Sequence, residues 1–220
     1  MKMNIGFELE AGVRDDSEAR KTARSIKWQT GSDGSINIRK CNSYPIEFKS
    51  KVYIMPKNLN QMIADFKIIS NEVNDINSSM GLHVHVSFSD KITYCRLCSY
   101  KFVRKFQTSY RKRFTKAKEQ RRMGNSYCRF YPSKKQFEEE ILKQIEFQDG
   151  KYRSINFGAI SGHGTIEFRI FPATKSVVEF KRYVNFVRRM ILTFIKKNNK
   201  DKIEPQIKDA IKKCRIRRRR

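Results

Sequence analysis

The chain has 220 residues, 39% of them hydrophobic and 12% aromatic, so it can bury the core of one domain. No run approaches the roughly 18 apolar residues that a membrane-spanning helix needs, which excludes that class of protein. Lys and Arg number 48 against 22 Asp and Glu, a formal net charge of +26. A chain this basic attracts polyanions such as RNA, DNA or nucleotide phosphates. A solvated, Lys-rich surface without a binding role explains the charge equally well.

The first residues, MKMNIG, contain no apolar core long enough for a signal peptide. The five cysteines are irregularly spaced, which favours a reduced setting over a disulfide framework. We therefore expect a cytoplasmic protein. Cys95 and Cys98 form a C-x-x-C pair, but no second pair follows at zinc-ribbon spacing, so we do not expect a metal there.

Alternation and helical periodicity predict an α+β fold, with a mostly antiparallel sheet that is covered by helices on one face. The predicted strands are residues 4–10, 25–29, 35–38 (across a turn at 31–34), 44–49, 81–88, 152–158 and 165–171. The predicted helical segments are residues 56–76, 90–122, 134–146 and 177–197. We assign residues 1–198 to one catalytic domain, with 90–150 as a helical, basic insertion that shapes the substrate site. Residues 199–220 are interpreted as a basic C-terminal tail, disordered in part.

Four predicted strands place ionisable side chains on the face opposite their apolar residues. These residues are Glu8 and Glu10, then Glu47, then His83 and His85, then Glu167 and Arg169. For any single strand, a solvent-facing surface explains such polarity. Solvent exposure explains the four strands together less well, because clustered carboxylates repel one another unless a cation lies between them. The pattern therefore predicts a metal-lined face.

The ligand types indicate which metal this face would take. Carboxylates with one or two imidazoles suit Mg²⁺ or Mn²⁺ better than Zn²⁺. Magnesium usually accompanies a nucleotide triphosphate, whose phosphates Arg169 and Arg153 could clamp. A P-loop motif is absent, so the nucleotide site would be of another kind.

Six short motifs, in this order, resemble the amidoligase family of the glutamine synthetase and glutamate–cysteine ligase superfamily. They are GFELE (6–10), DGS (33–35), IEFKS (46–50), GLHVHV (81–86), RSIN (153–156) and TIEFR (165–169). The resemblance implies an ATP-dependent carboxylate–amine ligase that forms an amide through an acyl phosphate. It also implies a glutamine synthetase-like sheet whose concave face holds Mg²⁺ or Mn²⁺ between ATP and the substrate.

Roles carried over by motif assign Glu8, Glu10, Glu47, His85 and Glu167 to metal binding. Asp33 would complete one ion's shell and is counted with Arg153 and Arg169 as catalytic. Arg153, Arg169, His83 and Asn156 would contact the nucleotide. Because Arg153 and Asn156 are three positions apart, a regular strand cannot aim both into the site, and we favour Arg153.

Two other functions stay open from the sequence alone. The first is a nucleic-acid-binding protein on a degenerate ligase fold, suggested by the net charge and by aromatics interleaved with basic residues at 100–106. Those aromatics also fit the buried side of an amphipathic helix. The second is a metallohydrolase that uses His83, His85 and Glu167. His163, in a Gly-rich loop, either approaches the site or is an ordinary exposed histidine.

Overall fold

The computed structural model describes residues 2–148, 152–198 and 202–214. Within these ranges the chain forms eight strands, all in one sheet. In chain order they are β1 (Met3–Val13), β2 (Gln29–Gly31), β3 (Tyr44–Lys49), β4 (Tyr53–Met55), β5 (Val73–Asp75), β6 (Gly81–Phe88), β7 (Ile155–Asn156) and β8 (Ile166–Pro172).

The described residues also form nine α-helices and one short 3-10 helix at Ser126–Cys128. The α-helices are α1 (Asp16–Ser25), α2 (Leu59–Glu72), α3 (Lys91–Leu97), α4 (Tyr100–Arg113), α5 (Ala117–Met123), α6 (Lys134–Phe147), α7 (Ala159–His163), α8 (Val177–Lys197) and α9 (Pro205–Lys213). None of these helices is both long and apolar enough to cross a membrane.

The sheet is open and its strand pairs are antiparallel, with the order β2-β3-β1-β6-β8-β7. Strand β1 is central, and β4 and β5 also pair with it. The prediction of a mixed α/β fold with a mostly antiparallel sheet is confirmed. In such a sheet, a fixed register decides which side chains of neighbouring strands lie side by side.

The core lies on the face of the sheet that carries the apolar side chains. Phe7 of β1 packs against Trp28, Phe66 of α2 and Phe180 of α8, and the last two rings stack with centroids 3.9 Å apart. Further along the sheet, Phe168 of β8 packs against two phenylalanines of α4. Because the helices bury this face, the opposite face of β1, β6 and β8 is left for polar side chains.

Several segments differ from their predicted structure, among them residues 73–75, the predicted end of a helix, which form strand β5. Residues 35–38 are not a strand, because side chains of the 75–79 segment, not a strand ladder, hold the backbone there: Asn37 N donates to Ser79 Oγ (3.1 Å) and Arg39 N to Asp75 Oδ2 (3.0 Å). Residues 25–29 do not form one strand, because Ser25 ends α1 and Gln29 begins β2. The helical region from residue 90 divides into α3, α4 and α5.

Part of the predicted C-terminal tail is a packed helix. Helix α9 lies against α3 and α6, and its Ile207, Ala210 and Ile211 are buried. An apolar stripe at helical spacing explains this packing. The terminal arginine run lies outside the described residues.

Candidate metal and nucleotide site

Strand register brings the predicted carboxylates of β3 and β1 next to the first histidine of β6. Glu47 lies directly opposite Glu10, and Glu8 lies directly opposite His83. Glu10, Glu47 and His83 are buried, with 3%, 7% and 2% of their surface exposed. Four groups that could carry charge therefore share a nearly dry part of the sheet.

The same register continues across β6, β8 and β7. His85 lies opposite Glu167, and Glu167 lies opposite Asn156. The amide of Asn156 donates to Glu167 Oε2 (2.7 Å), while the guanidinium of Arg169 donates to Oε1 (2.6 Å). Both oxygens of the Glu167 carboxylate are thus held in place, one by a cation and one by a neutral amide.

Glu8, His85 and Glu167 form a first donor cluster, each offering one atom within 4.8 Å of the others. His85 Nε2 lies 3.3 Å from Glu8 Oε2 and 3.9 Å from Glu167 Oε1. That nitrogen is buried and has no hydrogen-bond partner, while Nδ1 lies 3.1 Å from Thr165 Oγ1. An imidazole held at one nitrogen and unpaired at the other is the usual arrangement of a metal-binding histidine.

Glu10, Asp33 and Glu47 form a second donor cluster, also within 4.8 Å. Glu10 is oriented by the backbone N–H of Gly81, which donates to Oε2 at 2.5 Å. Lys49 Nζ lies 2.7 Å from Glu47 Oε2 and partly balances the charge of that cluster. Asp33 comes from the turn after β2, so a loop supplies the third oxygen.

His83 lies between the two clusters and contacts both. Its Nδ1 is 3.5 Å from Glu8 Oε2 and 3.2 Å from Glu167 Oε1, and its Nε2 is 3.4 Å from Glu10 Oε1. The Nδ1 atom is buried without a hydrogen bond. The side chain predicted to contact the nucleotide therefore lies where the two clusters meet.

The carboxylates of β1 and β3 on this face differ in the direction in which their pKa is shifted. Burial raises the pKa of Glu8, but the neighbouring imidazoles of His83 and His85 outweigh it and hold that pKa well below its usual value. Burial, followed by the negative charge of Glu8, raises the pKa of Glu47 in spite of Lys49. Lys49 therefore does not offset the combined effect of burial and the Glu8 charge on Glu47.

At the β8 end of the face, positively and negatively charged groups are more nearly balanced. Burial opposes ionisation of Glu167, but the charges of His85, Arg169 and His83 outweigh it and lower its pKa. The pKa of His85 is raised by Glu8 and Glu167 against the effect of burial. These shifts are mutual, since each group stabilises the charged form of its neighbour.

A cavity of about 480 Å³ opens onto the first cluster. Glu8, His85, Lys49 and Thr165 line it, together with His163 at the end of α7. His163 is exposed to solvent. A ligand that fills the cavity would therefore reach the carboxylates from the β1–β6 side.

Arg153 and Asn156 are placed differently from the sequence-based preference. The guanidinium of Arg153 binds Glu140 of α6, donates to the Phe130 carbonyl (3.2 Å) and lies over the ring of Tyr131. These contacts direct it away from the donor clusters, whereas Asn156 reaches Glu167. Positions three apart point to opposite sides of an extended chain, and the register that puts Asn156 opposite Glu167 makes Asn156 the one that faces the site.

Two residues of this region were missed by the sequence reasoning. Arg122 of α5 is buried and donates to the carbonyl oxygen of Arg169 (2.8 Å). A Cβ added at Gly81 would lie 2.8 Å from Arg122 Nη2 and 2.9 Å from His83 Nε2. Gly81 therefore permits a close approach that a side chain would block. Its place at the start of a strand that carries two histidines is the only signal that the sequence offers.

Comparison with known protein families bears on the second half of the chain. Residues 87–191 match a family model described as "Putative amidoligase enzyme". Comparisons with curated proteins and with solved structures gave no match. The matched segment contains Asn156, Glu167 and Arg169, while β1, β3 and both histidines of β6 precede it. The match over residues 87–191 supports the resemblance of this chain to the amidoligase family.

Proposed function

We propose that the protein is an ATP-dependent carboxylate–amine ligase whose site is the polar face of the sheet. The observation that carries the proposal is the pair of donor clusters that meet at His83, on a chain that matches the amidoligase family. An amidoligase joins a carboxylate to an amine, and forming this amide in water requires that the carboxylate first be activated. In this proposal the sheet is glutamine synthetase-like, with a curved, acid-lined concave face.

The residues present fit two divalent cations of the Mg²⁺ or Mn²⁺ type. The first cluster offers two carboxylates and one imidazole, and the second offers three carboxylates. Such oxygen-rich sets favour hard cations over Zn²⁺. The unpaired nitrogens of His83 and His85 support the fit, because a buried polar atom without a partner is costly unless a ligand satisfies it.

When bound, ATP and its cations would supply the phosphoryl group that activates the carboxylate and would neutralise the charge of the phosphates. The chain's own residues orient the site. Asn156 and Arg169 fix the Glu167 carboxylate, and Thr165 fixes the His85 ring. Arg169 also has a buried Nε without a hydrogen bond, so its guanidinium can still bind an anionic oxygen.

The cavity next to the first cluster is the proposed substrate entrance. Lys49 and His163 at its lining give it cationic and ionisable groups suited to a carboxylate. Arg153 is not needed for this arrangement, since its guanidinium is already bound by Glu140.

The proposal is tested by supplying ATP, Mg²⁺ and pools of amino acids and amines, and measuring phosphate release and amide products by mass spectrometry. We expect turnover that requires both an acid and an amine, and its loss in Glu10→Gln. The matched control is Glu18→Gln, because Glu18 is an exposed carboxylate on α1. Absence of nucleotide turnover with every pool, together with unchanged ATP affinity in Glu10→Gln, would contradict the proposal.

A further inference from the structure

Two adjoining cavities lie along helix α4, apart from the carboxylate face. Their volumes are about 860 Å³ and about 650 Å³, and both are lined by Tyr100, Arg104 and Thr108. Shared lining residues make them one groove, which we call the α4 groove. At about 1.5 Å per residue, the 14 residues of α4 give this groove a wall about 20 Å long.

Helix α4 has one apolar face and one cationic face. Phe102 and Phe106 are buried against Phe168, on the apolar side of the sheet. Arg104 and Arg111 are exposed on the opposite side of the helix. The aromatics at 100–106 that suggested base stacking are therefore mainly core residues, and the cations carry any binding to this face.

The charge of the groove is strongly one-sided. Four arginines and no carboxylate are among the described residues that line the smaller cavity: Arg104, Arg111, Arg129 and Arg153. Glu140 binds one of them, Arg153. The larger cavity adds four lysines and two glutamates, so cations outnumber carboxylates there as well: Lys101, Lys105, Lys134, Lys202, Glu138 and Glu204. Like charges brought together in this way repel one another unless an anion lies among them.

Two of these guanidinium groups are held over aromatic rings. Arg111 lies 5.0 Å from the centroid of Phe130, and Arg153 lies 4.9 Å from that of Tyr131. Stacking restricts the Arg111 side chain but leaves its N–H groups able to bind phosphate oxygens, whereas the guanidinium of Arg153 already donates to Glu140 and the Phe130 carbonyl. Arginines ordered in advance lose less conformational entropy when an anion binds.

We propose that the α4 groove binds the backbone of a single-stranded nucleic acid. A concave, arginine-lined groove about 20 Å long can follow several successive phosphates. Tyr100, half-buried where the two cavities join, offers one ring on which a base can stack. This binding is separate from the proposed ligase activity and uses the other side of the sheet.

The test compares the full-length protein with two triple variants of equal charge change. Arg104→Gln, Arg111→Gln and Arg129→Gln remove exposed cations of the groove. Arg24→Gln, Lys57→Gln and Lys67→Gln remove exposed cations of α1, the segment before α2, and α2, respectively. Binding of fluorescein-labelled single-stranded U20 RNA is measured by anisotropy between 50 and 200 mM NaCl, and the fold of each variant is checked by circular dichroism.

Each lost phosphate contact makes the slope of log K against log salt concentration shallower by about 0.7, so the groove variant should have a slope shallower by about 2. Its affinity for the RNA near 150 mM salt should be about 50-fold lower than that of the parent. The control variant should bind as the parent does. In a further variant, Tyr100→Leu, we expect weaker binding of RNA and unchanged binding of polyglutamate. Equal losses in both triple variants would overturn the proposal. So would displacement of the RNA by polyglutamate, or by phosphatidylserine vesicles, at equal charge concentration.

Discussion

Replacing Glu47 with glutamine should stabilise the metal-free protein and weaken its response to metal. Glu47 is buried opposite Glu10, and burial together with the charge of Glu8 raises its pKa. A carboxyl whose pKa is higher in the folded state binds more protons there than in the unfolded chain. Stability therefore falls as the pH rises through the window that begins at the usual pKa of 4.5. At neutral pH the ionised side chain destabilises the fold.

The two effects have different sizes and opposite signs. Removing one like-charged neighbour from a cross-strand pair is worth roughly 0.2–1 kcal/mol, which is the expected gain in the free energy of unfolding in EDTA. A bound metal at 100 times its dissociation constant should stabilise the parent by about 2.7 kcal/mol. For a chain of this size, that corresponds to a rise in Tm of about 5–10 °C. Glu47→Gln should lose most of that rise.

Differential scanning calorimetry in EDTA and in saturating Mn²⁺ measures both quantities. Glu139→Gln is the matched control, because Glu139 is exposed on α6 and should change neither the EDTA value nor the Mn²⁺ response. If Glu47→Gln is less stable than the parent in EDTA and shows the same Mn²⁺-induced rise, the reasoning about repulsion on this face is wrong.

Three further predictions concern other ion pairs. Glu119 is fully buried and binds Arg182, so Glu119→Gln should lower the free energy of unfolding in urea by about 3–5 kcal/mol, and a loss below about 1 kcal/mol would contradict this. Burial raises the pKa of Glu179, but hydrogen bonds from two lysines and a threonine lower it to about 2. The ionised Glu179 side chain therefore stabilises the fold above its usual pKa of 4.5, and this stabilisation is lost as the pH falls from 4.5 towards 2. In an acid titration, the free energy of unfolding of Glu179→Gln should change less with pH in that window than that of the parent. Arg153→Gln should lower Tm, because it removes the ion pair with Glu140, yet leave ATP affinity unchanged within about twofold. A larger loss of ATP affinity would restore its predicted role at the nucleotide.

Alternation along the chain predicts the faces of the strands well. Glu8, Glu10, Glu47 and Glu167 are all on the polar face, since side-chain direction in a strand depends only on the period of two. Strand order and register depend on contacts between distant parts of the chain. Alternation therefore could not show that Glu10 faces Glu47 or that His83 lies between the two clusters.

Irregular segments and helices account for the rest. Alternation showed that only one of Arg153 and Asn156 faces the site, but the choice between them depends on the register of β7 against β8, which the sequence does not contain. Arg122 comes from a short helix in which two arginines are adjacent, so nothing in the pattern distinguishes it from its exposed neighbour Arg121. Tertiary packing of α5 against β8 selects the buried one.

The central claim is that two donor clusters on this face hold two divalent cations, and equilibrium dialysis against Mn²⁺ without nucleotide tests it most directly. We predict two Mn²⁺ per chain for the parent and for Glu139→Gln, and one for either Glu167→Gln or Glu47→Gln, because each removes a ligand from a different cluster. Absence of saturable Mn²⁺ binding, or one tightly held Zn²⁺ per chain in the purified protein, would contradict the account.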